Sequence, residues 1–507
     1  MADRTPRLGL GTYERGDEWD HTDTVEAVDE HAIVRGPIAE RPAEGEYDDE
    51  LYHAIDQGIT WRWDAENGDW TYFSGRGSPD QPVPGTSHFE AARFESARLV
   101  NARTEETPVW NVEAHGIEGD GTTEVGQAVH DLFETVAEAG GGIVYFPPGR
   151  YLLERTPLIG DDTIVRGAGR ATVFEGPRPD GEEGRALLSN RGYDESGYAG
   201  ASNWAVCDVR IDAPNATGIM PAHAENVRLE RIYGDAVYYH HIDVVSCKNV
   251  TIDGFWATCG GAGNSDAPVQ FDSQQPGTAW NGVWNGKTDT LVAGDDTPSA
   301  NCTLTNFEID PTNDPDHGVH LHRGSNDSIT IKDGYISGCQ HSAIRVDAGE
   351  LVDDLIIDGV SCLENARGIS IGHLENGRRA LTIDNVTIRT DDSELASGSG
   401  LYASGFASAA ISNVVVDGAF TNAIIFDDMD DLKLTTVTAK GAAHQAFRFR
   451  DNVDATLTTA RAADCGTAGI YSGPGSSVAY GGVTFDDVGT EVVVDGETRA
   501  WTTSTSS

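Results

Sequence analysis

Gly318-Val319-His320-Leu321-His322 runs small, apolar, polar, apolar, polar, and the return of this pattern decides the fold. It recurs at Ala343-Ile344-Arg345-Val346-Asp347, Gly368-Ile369-Ser370-Ile371-Gly372, Gly400-Leu401-Tyr402-Ala403-Ser404, Ala423-Ile424-Ile425-Phe426-Asp427, Ala446-Phe447-Arg448-Phe449-Arg450 and Gly469-Ile470-Tyr471, at intervals of 23 to 32 residues. Upstream it is met at Pro268-Val269-Gln270-Phe271-Asp272 and His241-Ile242-Asp243-Val244-Val245. Each copy is followed by a second alternating run, such as Val250-Thr251-Ile252, Ile329-Thr330-Ile331 or Leu381-Thr382-Ile383. Two or more short period-2 segments per repeat are the mark of a solenoid of stacked parallel strands. One rung cannot bury its own apolar face, so each is stabilised by its neighbours. The expectation is an all-β chain, a right-handed parallel β-helix over residues 115–490.

If rungs stack in register, equivalent residues lie about 4.8 Å apart. One outward column then reads Asp243, Gln270, His320, Arg345, Ser370, Tyr402, Ile425, Arg448, Tyr471; the second reads Val245, Asp272, His322, Asp347, Gly372, Ser404, Asp427, Arg450. Ionisable groups concentrate between Asp243 and Asp347. Asp243, Asp272, His320, His322 and Asp347 are therefore the candidate catalytic residues, with His241, Gln270, Asp316, Arg345 and Tyr402 as candidate substrate contacts. Glycoside hydrolysis uses two carboxyl groups about 5 to 9.5 Å apart. Stacking predicts about 8 Å for Asp243 and Asp272 and about 10 Å for Asp272 and Asp347. Histidines beside them suit acid and base roles. Two other readings stand alongside catalysis: glycan contact without cleavage, and the ordinary solvent-facing stripe of a solenoid.

The rung that begins at Pro268 spends 34 residues before its second run at Cys302, where most use nine to thirteen. Its extra loop carries Trp280 and Trp284, whose apolar faces suit sugar rings, and a loop on a rigid scaffold is a common carrier of function.

Ahead of the repeats, Gly119-Asp120-Gly121-Thr122 precedes a helical pattern from Glu124 to Ala139, with Val125, Val129, Leu132, Phe133 and Val136 on one face. Such a helix caps the first rung, whose edge and apolar interior would otherwise meet water. Gly142-Ile143-Val144-Tyr145-Phe146-Pro147-Pro148-Gly149-Arg150-Tyr151 and Ile164-Val165-Arg166-Gly167-Ala168-Gly169 follow. These segments resemble the opening motif of the pectate-lyase-like superfamily, which implies the β-helix but leaves activity open, since that fold hosts lyases, hydrolases, epimerases and inert fibres. The strands at His241-Ile242-Asp243, Val269-Gln270-Phe271-Asp272 and Gly318-Val319-His320-Leu321-His322 also resemble those of β-helix proteins that act on glycans. The polygalacturonase set of Asn-Thr-Asp, Asp-Asp and Gly-His-Gly is not present in order.

Residues 51–75 hold three alternating runs, Leu51-Tyr52-His53-Ala54, Ile59-Thr60-Trp61-Arg62-Trp63-Asp64 and Trp70-Thr71-Tyr72-Phe73, separated by Gln57-Gly58 and Asn67-Gly68. Asn-Gly between alternating runs signals a hairpin, so a small β meander is expected. It resembles the adaptor segments of viral tailspikes and tail fibres. The expected division is an attachment segment at 1–50, the adaptor at 51–75, a linker and neck at 76–114, the β-helix at 115–490 and a tail at 491–507.

Acidic residues number 82 against 35 basic, a net charge of -47, and only five of the basic residues are Lys. This field repels nucleic acid and anionic membranes and is expected of a halophile's solvated surface. Seven Cys without metal-type spacing are expected to be free, mostly buried thiols. No apolar run approaches the roughly 20 residues of a membrane span, and the first residues lack a signal peptide's apolar core. Together the resemblance and the charge imply a virion spike of a haloarchaeal virus, a homotrimer held to other virion proteins through residues 1–75, that binds a host surface glycan, with cleavage of that glycan left open. No cofactor is expected, and bound cations are left open. The alternatives are a halophile's own polysaccharide hydrolase or lyase, and an inert virion decoration.

Overall fold

The computed structural model describes residues 107–178, 184–258, 267–273, 281–312, 315–322, 324–347, 351–373, 380–391, 395–495 and 497–500; before these it describes the backbone of strands at 3–4, 11–12, 33–36, 51–54, 59–64 and 69–75. Residues 76–106 of the linker and neck expected at 76–114, Trp280 and residues 501–507 lie outside the described residues. Two compact units are present, Met1–Thr107 and Pro108–Ser507. In the first, Leu51–Ala54, Ile59–Asp64 and Asp69–Gly75 form the expected antiparallel meander, and Ile33–Gly36 adds a fourth strand parallel to Leu51–Ala54.

The second unit is a parallel β-solenoid of about 13 turns. The quoted pattern forms one sheet of short strands, running through Ile242–Val245, Val269–Asp272, His317–His322, Ser342–Val346, Ile369–His373, Ser399–Ser404, Asn422–Asp427, Gln445–Phe449 and Ala468–Ser472. Its inward column, Ile242, Val269, Val319, Ile344, Ile369, Leu401, Ile424, Phe447 and Ile470, is fully buried, which is why a small apolar-polar alternation sets the register. Outward, the paired column is Asp243, Gln270, His320, Arg345, Ser370, Tyr402, Ile425, Arg448 and Tyr471, in the order expected. The second column deviates once: an irregularity after Ser370 sets His373, not Gly372, opposite Ser404.

The second runs form a sheet of longer strands, such as Glu225–Val237, Lys248–Ala257 and Ser325–Ser337, each bent in its middle. At the bend one residue takes left-handed φ, as in Gly254 (77°), Asn306 (54°), Gly359 (66°), Asn385 (53°), Thr436 (56°) and Thr459 (57°). This lets two successive side chains face out before apolar alternation resumes, so the strand turns a corner without losing its core face. At or just before the start of these strands Asn203, Asn226, Asn249 and Asn301 are also left-handed. Their side-chain amides bond rung to rung at 3.1, 2.9 and 3.4 Å, a ladder that Asn suits because it tolerates this backbone and carries both donor and acceptor.

Helix Gly126–Glu138 covers the first rungs with Val129, Leu132, Phe133 and Val136 buried. Phe133 meets Phe146 edge to face at 6.4 Å, and Phe146 meets Phe174 at 5.0 Å. The six described cysteines are free and buried. No helix among the described residues is long and apolar enough to cross a membrane.

Candidate functional site

Three neighbouring strands of the short sheet, Ile242–Val245, Val269–Asp272 and His317–His322, bring Asp243 beside Gln270 and His320 in one column and Asp272 beside His322 in the other. These positions point away from the core, yet Asp243, Gln270, Asp272 and His320 are all buried. The cause is the long loop. After Asn281 it forms a hairpin, Gly282–Trp284 with Asp289–Leu291, and Val283 pairs with Ala186 at the cap end of the sheet. Val283 and Val292 of the loop pack on Ala186, Met220, Ala222 and Val245, a second small core on the outer face of the sheet. Val245, an apolar side chain in an outward column, is thereby accounted for.

The outward residues form two adjoining groups, and the loop's Asn281 joins the first. In the first, Asn281 donates its Nδ2 to Asp243 Oδ2 at 2.8 Å and to Asp272 Oδ2 at 3.5 Å. Gln270 donates its Nε2 to Asp243 Oδ1 at 3.3 Å and Asp272 Oδ2 at 3.5 Å. The amide of Ser273 donates to Asp272 Oδ1 at 2.7 Å. Two carboxylates leaning on shared amides have their Oδ2 atoms within about 6 Å of each other, closer than backbone spacing alone implies.

The second group centres on Asp347, just past strand Ser342–Val346. Its Oδ2 meets His322 Nδ1 at 2.5 Å and His320 Nε2 at 3.2 Å, and its Oδ1 accepts from Arg345 Nε at 3.0 Å. Arg345 is held in turn by donating to Ser370 Oγ at 2.9 Å. Partial burial pushes the Asp347 carboxyl up, but the bonds from His320, His322 and Arg345 outweigh it and hold the group well below the usual carboxylate range. His317 lies tilted against His320, with ring centroids 4.8 Å apart; burial, with His320 and Arg345 nearby, draws it down to about 3, so it is neutral.

Of the other residues expected in the site, Asp316 sits at its rim and pairs with His341 at 3.1 Å. Tyr402 is two strands beyond Arg345 in the same column. His241 turns away: buried against Phe255, its Nε2 bonds the Asp235 carbonyl, and burial lowers it to about 4. Trp284 does not reach the carboxylates. Its backbone bonds Thr156 near the cap, N to Oγ1 at 3.1 Å and O to N at 2.8 Å, because the hairpin runs back along the sheet. Asn281 was not foreseen, although it stands in the flagged loop beside Trp280; only folding shows that the loop's polar residue, and not its described Trp284, meets the acids. His317 was equally legible as a third histidine in one strand.

Stacked parallel rungs closed by a capping helix define a right-handed parallel β-helix. In particular, residues 109–345 match the family described as rhamnogalacturonase A/epimerase, pectate lyase-like. The plasmin and fibronectin-binding protein A of Streptococcus pneumoniae is 25% identical over 180 residues, 31% of this chain and 25% of that protein, so the match spans about a quarter of that relative's length. The crystal structure of PfbA, a surface adhesin of the same organism, superposes with a TM-score of 0.49 at 13% identity, covering 77% of this chain and 93% of that one. Tailspike protein 3 of bacteriophage CBA120 does so with a TM-score of 0.45 at 11% identity, covering 98% and 82%.

Proposed function

We propose that this protein binds a cell-surface glycan along the outer face of its short-strand sheet and hydrolyses it with Asp243 and Asp272. One observation carries the reading: acids, histidines and amides converge on neighbouring rungs at positions where a solenoid could hold solvent-facing Thr or Ser, and Asn281 of the loop bonds both Asp243 and Asp272. Burying carboxylates is costly, and such clusters are concentrated at functional sites. The match of residues 109–345 to a family described by a rhamnogalacturonase and epimerase supports a carbohydrate as the ligand. One carboxyl group protonates the leaving oxygen and the other attacks the anomeric carbon or activates water; Gln270 and Asn281 orient the pair. The separate β unit Met1–Thr107 and the acidic surface favour display on a particle in a saline environment.

The test is to incubate the full chain in molar salt with envelope glycoprotein or exopolysaccharide from a halophilic host, and to follow new reducing ends and unsaturated uronate absorbance. Reducing ends without absorbance, lost in Asp243→Asn and Asp272→Asn, are expected. Absorbance would make the enzyme a lyase, and binding without either product would leave a receptor-binding spike. Absence of any glycan binding would overturn the reading. Deleting residues 1–107 is expected to abolish particle attachment and spare glycan binding.

A further inference from the structure

His320, His322 and Asp347 bring three potential ligand atoms together within 4.8 Å of one another. From this geometry we infer a binding site for one divalent transition-metal ion of the zinc type, held by His320 Nε2, His322 Nδ1 and Asp347 Oδ2. The inference goes beyond the glycan reading and does not depend on it.

Four features carry it. The ligand chemistry is two imidazoles and one carboxylate, which suits zinc, iron and their neighbours and does not suit calcium or magnesium, ions that take oxygen ligands. The spacing also fits. Ligands at about 2.1 Å from a tetrahedral ion stand about 3.4 Å apart; His320 and Asp347 are already at 3.2 Å, and His322 and Asp347, at 2.5 Å, need to part by about 1 Å. The side chains of His322 and Asp347 retain 27% and 26% exposure, enough to give room for that movement and a path for the ion. His320 is 6% exposed at its side chain and forms the floor of the site.

The outer contacts are those of a prepared carboxylate ligand. Arg345 donates to Asp347 Oδ1 and is braced by Ser370, which turns Oδ2 toward the two imidazoles, the role that outer-shell partners play around bound metals. Finally, two buried polar atoms near the set make no hydrogen bond within the described structure. They are His317 Nδ1, on the ring next to His320, and Gln270 Oε1, on the residue paired with His320 in the sheet. Gln270 commits its Nε2 to Asp243 and Asp272, so its oxygen is left for another partner. A metal-bound water would supply one. Three protein ligands leave a fourth position for that water, the arrangement of open rather than closed zinc sites.

The probe is zinc itself. Tag-free full-length chain, stripped with a chelator, is dialysed against ZnCl2 in molar NaCl with millimolar MgCl2, so that the acidic surface is screened and occupied. Metal content is read by mass spectrometry and affinity by a competing dye. The expected result is one zinc per chain, with affinity reduced ~100-fold or more in His322→Ala and in Asp347→Ala, and unchanged in Asp431→Asn, an exposed acid elsewhere on the solenoid. Cobalt bound to the wild-type chain is expected to show the visible absorption of a four- or five-coordinate ion, a readout that does not rely on any variant folding. Zinc that magnesium displaces, a stoichiometry well below one, or a cobalt spectrum of the six-coordinate aqueous kind would each overturn the site. No glycan enters these measurements, so their failure is separate from failure of the hydrolase assay.

Discussion

Replacing Asp347 with Asn tests how much the charged knot at the end of the patch stabilises its rungs. The carboxylate receives His322 and His320 on one oxygen and Arg345 on the other, at 2.5, 3.2 and 3.0 Å. Asn keeps the shape, but it removes the charge and can set an NH2 against the two imidazole nitrogens. A hydrogen bond to a charged group contributes about 1.5–3 kcal/mol; with two weakened, and with Asp347 and His322 partly exposed, the expected loss is about 3 kcal/mol. The sign of the pH dependence follows from the depressed carboxyl pKa of the folded state. Its stabilisation is fully present above the unfolded value of about 3.9, and falls by about 1.4 kcal/mol per pH unit below it, toward the folded value. The gap between wild type and Asp347→Asn is therefore expected to be constant from pH 5 to 8 and to shrink below pH 4. Thermal unfolding with chelator present, joined to hydrogen exchange of the amide of Asp347, which bonds the Leu321 carbonyl at 3.3 Å, measures both parts. An unchanged midpoint would refute the argument, and a gap as large at pH 3 as at pH 7 would assign the effect to packing instead of charge.

Three further outcomes are expected. Asn281→Ala removes the 2.8 Å bond to buried Asp243; it should lower stability by about 1.5–3 kcal/mol and abolish glycan turnover more than glycan binding, as read by reducing ends against a binding isotherm. His241, drawn down to about 4 by burial, stays neutral in the fold, so its contribution is intact above pH 6.5 and about 3 kcal/mol is lost as pH falls from 6.5 to 4; His241→Gln should flatten that part of the stability profile. Thr459, exposed at a corner with φ of 57°, pays for a backbone that Asn adopts more readily, and Thr459→Asn should raise stability by about 1 kcal/mol, visible as a higher thermal midpoint.

Much of this fold is written in one dimension. A period of two, returning every 23 to 32 residues, leaves little choice of architecture, because alternation fixes which side chains face in, and stacking follows from the need to bury them. For the same reason the column Asp243, Gln270, His320, Arg345 could be aligned before any coordinate was known. The left-handed asparagines of the ladder were less visible. Asn203, Asn226 and Asn249 recur every 23 positions, but a polar residue at a turn has no hydrophobic period to announce it. What the tertiary structure alone decided is the loop's path. Its apolar residues, Val283 and Val292, cover Met220 and Val245 on the outside of the sheet, and that packing carries Trp284 toward the cap while lowering Asn281 onto the acids. Side-chain angles likewise bring His320 and His322 onto one oxygen of Asp347. Repeats determine where a side chain starts, since backbone pairing is periodic; which groups meet is decided by aperiodic loops and side-chain angles, which only three-dimensional packing selects.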